Sequence, residues 1–115
     1  MHELSVATHV VEIASDFARQ AGARRVCRVT LRIGALTCVH RRALENCFPI
    51  ACENTVVEGA VLTITDVSIA VYCPKCDDIQ DLADIHPLCC PICGTLTGDV
   101  RRGNELDVES IEVID

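Results

Sequence analysis

Two short cysteine pairs constrain this chain more than any other feature. They are Cys73-Pro-Lys-Cys76 and Cys90-Pro-Ile-Cys93, with thirteen residues between them. Two sulfurs on one tight turn can reach the same ion. A tetrahedral zinc ion takes four thiolates, so the two turns facing each other would form a zinc ribbon. Pro74 and Pro91 preset φ and remove a backbone donor, which suits a rigid turn. Cys89 abuts Cys90 and offers a one-residue slip, but the spacing to Cys93 through Pro91 favours Cys90. A site filled by four thiolates is closed. It stabilises folding and leaves no position for an activated water, so the zinc accounts for order and not for activity.

The rest of the composition narrows the class. The chain has 115 residues, half of them apolar, which is enough for one ordinary core or for a small core plus a metal-stapled module. Phe17, Phe48 and Tyr72 are its only aromatic residues, so that core is aliphatic. No apolar run approaches the ~18 residues of a membrane span. The opening Met1-His2-Glu3-Leu4 has no export-signal profile, and a cytoplasmic protein is expected. Nine cysteines is an odd number for a disulfide scaffold, and reduced thiols fit better. The net charge of −7 argues against binding a phosphate backbone and favours cationic partners, metal ions included.

Along the chain, residues 4–21 carry apolar side chains at helical spacing. Leu4, Ala7, Val11, Ala14 and Ala18 form one stripe, with Val10, Ile13, Phe17 and Ala21 beside it and Gly22 as the stop. From Arg25 to Ile33 the period becomes two, which predicts a strand with Cys27, Val29, Leu31 and Ile33 on one face. A second helix is predicted over residues 40–52, with Pro49 kinking or ending it near Phe48. Asn54 and Gly59 bracket a turn, and Ala60, Leu62 and Ile64 mark a second strand. Between the cysteine pairs, Asp77 to His86 suit short ribbon strands. At the end, Leu106 and Val108 alternate in one parity and Ile111 and Val113 in the other, which a bulge near Ser110 would reconcile. That last strand is too apolar to stand alone and should rejoin the first sheet. The expected fold is α+β: two helices on an antiparallel three-stranded sheet, formed by residues 1–67 plus 104–115, with a zinc-ribbon module inserted at 68–103.

The amino terminus has chelating chemistry of its own. The Met1 amine, the His2 backbone nitrogen and the His2 imidazole can bind one ion through fused five- and six-membered rings. Such nitrogen-rich planar sites suit Ni(II) or Cu(II). Glu3 could supply a fourth donor by its amide or carboxylate. The plainer reading is an ordinary exposed histidine on a frayed terminus.

Resemblance adds weight to the chelate. Met1-His2-Glu3-Leu4-Ser5 resembles the opening of the HypA/HybF family of hydrogenase nickel-incorporation proteins. The likeness continues through Arg32-Ile-Gly-Ala-Leu-Thr-Cys-Val39, Glu58-Gly-Ala-Val-Leu62, both cysteine pairs and Ser110-Ile-Glu-Val113, in order along essentially the whole chain. It implies a nickel metallochaperone that carries Ni²⁺ at His2, with Met1 and Glu3 as neighbours. The ion would be passed to an immature [NiFe]-hydrogenase large subunit in concert with a nickel-handling maturation GTPase. Zn²⁺ would sit at Cys73, Cys76, Cys90 and Cys93. The sequence also departs from the family. Asp77 and Gly94 stand where some members place a histidine after the cysteine pair. His40 stands where relatives are often acidic, as a helix-start residue or an extra donor near the terminus.

Other residues are weaker candidates. Cys27 and Cys47 fit core stripes, and Cys38 and Cys52 are less clear. His9 reads as a surface histidine, and His86, in the ribbon loop before Pro87, could supply nickel in a partner-bound form, though little supports it. The Arg24-Arg25 and Arg101-Arg102 pairs are too short for nucleic-acid patches. No base–nucleophile pair stands out, so no catalysis is expected. The competing reading is a zinc-ribbon protein–protein adaptor in which His2 is irrelevant. The sequence leaves open a homodimer formed by exchange through the two hinge segments.

Overall fold

The computed structural model describes residues 2–83 and 88–115. The chain divides into two compact units. The first comprises Met1–Leu31, Cys38–Thr65 and Asp107–Asp115; the second comprises Arg32–Thr37 and Asp66–Leu106.

In the first unit, helix α1 runs from Glu3 to Gln20 and packs on helix α2, Arg41–Cys52. Ala7, Ala14 and Ala18 are fully or almost fully buried, so small side chains set a close approach. Leu4, Ile13 and Phe17, expected in or beside the buried stripe, are instead 38–49% exposed. Helix α1 ends in a Schellman motif. Gly22 takes a left-handed φ of +68° and its N–H donates to Arg19, while the N–H of Ala23 donates to Ala18. Helix α2 buries Leu44, Phe48 and Cys52, and burying a side chain such as Leu44 or Phe48 contributes about 1.5–3 kcal/mol. Of the two outcomes expected at Pro49, a kink or an end, the end does not occur: the helix continues through Pro49 to Cys52. Pro49 and Glu45, whose carbonyl loses its helical donor, both lie on the exposed side, where water can take that donor's place.

Strands β1 (Arg25–Gly34), β2 (Val61–Val67) and β6 (Leu106–Ile114) form a sheet in the order β2-β1-β6. The last strand therefore returns to the first. In β6 the half-buried residues are Leu106, Val108, Ile111 and Val113, and the parity shifts across the exposed Glu109 and Ser110. Val29, Leu31 and Ile33 are buried on β1 as expected, and Val26 is buried too. On the polar face, the Arg28 guanidinium donates to Thr63 on β2 at 2.7 Å and pairs with Glu112 on β6 at 2.8 Å. Both ionic partners are roughly half exposed, so the pair contributes well under about 1 kcal/mol.

The second unit has its own antiparallel sheet in the order β4-β3-β5, made of Ile69–Cys73 (β3), Asp78–Leu82 (β4) and Val100–Arg102 (β5). Strand β3 is central, and Ile69, Ala70, Val71 and Cys73 are all buried. Consecutive buried residues point to opposite faces, so both faces of β3 are covered. An unbroken apolar run carries no period, so no alternation in the sequence marks this strand. Residues 32–37, assigned from the sequence to the helical domain, cluster with the second unit. The Gly34 N–H donates to the Glu105 carbonyl at 2.7 Å, and the Leu36 N–H to the Gly103 carbonyl at 2.8 Å.

Candidate metal centres

The second unit brings the four thiols of Cys73, Cys76, Cys90 and Cys93 within 4.8 Å of one another. Two Sγ pairs are closer, Cys73–Cys93 at 3.5 Å and Cys76–Cys90 at 3.9 Å. Tetrahedral zinc with Zn–S bonds of about 2.3 Å needs sulfurs about 3.8 Å apart. Geometry and donor set therefore fit a structural zinc ion. Cys89 stays outside the quartet, paired instead in a bridge with Leu96.

The backbone explains how each pair makes a turn. The first pair follows the end of β3, and the Cys76 N–H points at the Cys73 sulfur from 3.4 Å. In the second, the Gly94 N–H donates to the Cys90 carbonyl and the Cys90 N–H to the Thr95 carbonyl, each at 2.9 Å. The residue after each second cysteine is left-handed: Asp77 at φ +52° and Gly94 at φ +78°. Asp77 carries this conformation with its carboxylate accepting from the Tyr72 hydroxyl. A Cβ at Gly94 would meet no atom within 4 Å, so Gly94→Ala has only the backbone cost to bear. Thermal unfolding of the zinc-loaded protein should show a loss of roughly 1 kcal/mol.

The sulfurs are too close for all four to ionise by themselves. Hydrogen bonding to Cys93, then burial, pushes the Cys76 thiol up to about 12. The Thr95 hydroxyl, 3.1 Å from the Cys93 sulfur, and then a backbone hydrogen bond from the same residue draw Cys93 down to about 6. A doubly charged cation would remove this conflict. Sequence reasoning misses Thr95, and it misses the buried Thr97, whose hydroxyl donates to the Tyr72 carbonyl at 2.8 Å and accepts from the Asp99 N–H. Their only signal is the alternation of Thr95 and Thr97 just after the second pair.

At the amino terminus, His2 is the exposed N-cap of α1, with extended φ and ψ of −80° and 122° and no side-chain capping bond. Its carbonyl begins the helix by accepting from Val6. The imidazole is thus not used by the fold. Glu3 accepts the His40 backbone N–H on its carboxylate at 3.2 Å, and this bond holds its pKa below the ordinary value. His40 is the N-cap of α2, and its Nδ1 accepts the Ala43 N–H at 3.1 Å. The start of α2 therefore lies beside the start of α1, with the His40 imidazole committed to capping through Nδ1. The expected Met1 amine donor and His86 lie outside the described residues.

The remaining candidates stay apart. His9 Nδ1 lies 4.0 Å from Glu12 on an exposed helix face. The Cys27 thiol meets the Glu112 carbonyl, and Cys52 is buried with its thiol pushed up to about 11 by desolvation. Cys47 is half-buried and Cys38 exposed. Among the described residues, the cysteine quartet is the one group of three or more such side chains within reach of a common ion.

Comparison with known proteins covers the same ground. Residues 1–113 match the model of the family described as hydrogenase/urease nickel incorporation, metallochaperone, hypA. The chain is similar to the hydrogenase maturation factor HypA of Chloroflexus aurantiacus, at 43% identity over 97% of this chain and 98% of that one. It is 42% identical to HypA of a Roseiflexus species over the whole of this chain and 94% of the relative. It is also 38% identical to the maturation factor HybF of Klebsiella pneumoniae, over 97% and 98%. In fold it resembles the solution structure of the Ni metallochaperone HypA from Helicobacter pylori. That match has a TM-score of 0.70 at 24% identity and covers 99% of this chain and 98% of that one.

Proposed function

Since this chain belongs to the HypA family of hydrogenase/urease nickel-incorporation metallochaperones, we propose that it carries Ni(II) at His2 and delivers it to an immature [NiFe]-hydrogenase large subunit. In this reading the nickel rests on the His2 imidazole and backbone nitrogen, the Met1 amine, and a donor from Glu3. The observation that carries it is the His2 side chain: exposed, at the first turn of α1, and not used in capping. Cargo that must be released needs an accessible site whose ligands can be reprotonated, and a terminal chelate meets both needs. The zinc quartet of Cys73, Cys76, Cys90 and Cys93 holds its ion permanently and shapes the second unit. Nothing is catalysed. The partners are a nickel-handling GTPase and the large subunit, in the cytoplasm. No described helix is long and apolar enough to cross a membrane.

The test is a titration of Ni(II) into untagged, zinc-loaded protein. About one tightly held nickel per chain should bind. It should be lost in His2→Ala and with an amino-terminal extension, while zinc content and circular dichroism stay unchanged. Equal uptake by all three proteins would leave the adaptor reading.

A further inference from the structure

A groove of about 770 Å³ opens where α1 ends, beside the loop that follows α2. Arg19, Arg24 and Arg25 line it together with Asp16 and the Asn54–Val56 segment. Three of the ten basic residues thus converge in a chain whose net charge is −7. Their engagements differ. Arg19 pairs with Asp16 at 3.1 Å, and Arg25 donates to the Glu58 carbonyl. The exposed Arg24 guanidinium has no hydrogen-bond or ionic partner among the described residues. Its backbone N–H is fixed to the Ile114 carbonyl at 3.0 Å, so the side chain springs from backbone tied to the last residue of β6. The lining carries three arginines against the one carboxylate of Asp16, a net charge of two positive.

The surroundings say which kind of anion. The helix end here is the carbonyl end of α1, where the macrodipole is negative and no free N–H groups converge. The terminal carbonyls of Phe17, Ala18 and Arg19 are already taken by the N–H groups of Ala21, Ala23 and Gly22. A compact phosphate would find no backbone cradle of the kind a helix N-terminus offers. No aromatic ring lines the groove for base stacking. Guanidiniums on an open, partly apolar groove with Ala18, Ala23 and Val56 suit carboxylates spaced along a peptide, each able to take a bidentate pair.

We propose that this arginine-lined groove docks an acidic, partly apolar segment of a partner protein. Helix α1 is about 27 Å long, so a partner gripped here leaves the His2 end of the same helix uncovered. The proposal does not depend on nickel binding at His2.

The test uses full-length, zinc-loaded, nickel-free protein and a fluorescein-labelled decapeptide of glutamates interrupted by two leucines. Its glutamine counterpart is the control, and anisotropy is read at low salt. Arg24→Glu should weaken binding by about tenfold or more, because a desolvated guanidinium–carboxylate contact is replaced by repulsion. Arg42→Glu, an equal charge change on an exposed residue of the first turn of α2, should change it less than about twofold. Amide resonances of Arg24 and Asn54–Val56 should shift on titration, and those of Ser5–His9 should not. Equal loss in both variants, absence of saturable binding, or displacement by inorganic phosphate at the peptide's own concentration would overturn the assignment.

Discussion

Cys90→Ser should unfold the second unit while the helical unit stays folded. Cys90 is 1% exposed and its sulfur lies among three others, so a serine hydroxyl leaves zinc with three thiolates and one poor donor. Structural zinc supplies an apparent ~10–16 kcal/mol in small modules. The second unit has fewer than fifty residues, and a core of that size rarely holds without a staple. Native-state hydrogen exchange would read this directly. The amides of Val71 and Tyr72 should lose protection, and those of Val10, Val11 and Leu44 should keep it. Concerted loss in both sets would mean that the two units fold as one. Chelation of zinc should reproduce the pattern. Acid should as well, and the sign follows from the thiols. Cys93, held down near 6, is anionic above that value and neutral below it, while Cys76 near 12 gives up its proton only to a metal. Zinc re-uptake should therefore fail as the pH falls through about 6, which a chromophoric zinc indicator would show.

Gly34→Ala should be the most damaging single methyl addition in the chain. A Cβ at this buried position falls onto the carbonyl group of Gly103 and within 2.8 Å of the Asn104 nitrogen. All three atoms are backbone, so no side chain can rotate away. The methyl would separate segment 32–37 from 103–105 and break the Gly34–Glu105 and Leu36–Gly103 hydrogen bonds. Overpacking costs about 1–3 kcal/mol and each lost bond about 1 kcal/mol, for a total of about 3–5 kcal/mol. That is a large share of a small domain's stability. Thermal unfolding should show a loss several times that of Gly94→Ala. Equal effects at the two glycines would show that the segments are not in contact.

The comparison of these glycines also shows what the sequence withholds. Both are glycines at the end of a local element, yet Gly94 has an empty surround and Gly34 has the backbone of residues 103–104 against it. The periodic elements were legible: α1 from its apolar spacing and Gly22, β1 from its alternation, and β6 from its parity shift near Ser110. Whether Pro49 ends α2 was not, because the outcome depended on which side of α2 faced water. Strand β3 was not, because Ile69, Ala70 and Val71 have no period to read. The cysteine quartet and the choice of Cys90 over Cys89 followed from spacing. Thr95 beside Cys93 and the Glu3–His40 contact did not, since each joins residues through a turn or across thirty-seven positions.

The amino-acid order by itself determined the four sulfurs, the histidine at position 2, the helical and strand periods and the family, because these rest on residue type and short spacing. Tertiary structure alone decided that residues 32–37 join the second unit, that His40 caps α2 beside Glu3, and that residues 54–56 close a groove with Arg19, Arg24 and Arg25. Contacts between distant segments are set by how layers pack, and packing leaves no local pattern in the chain.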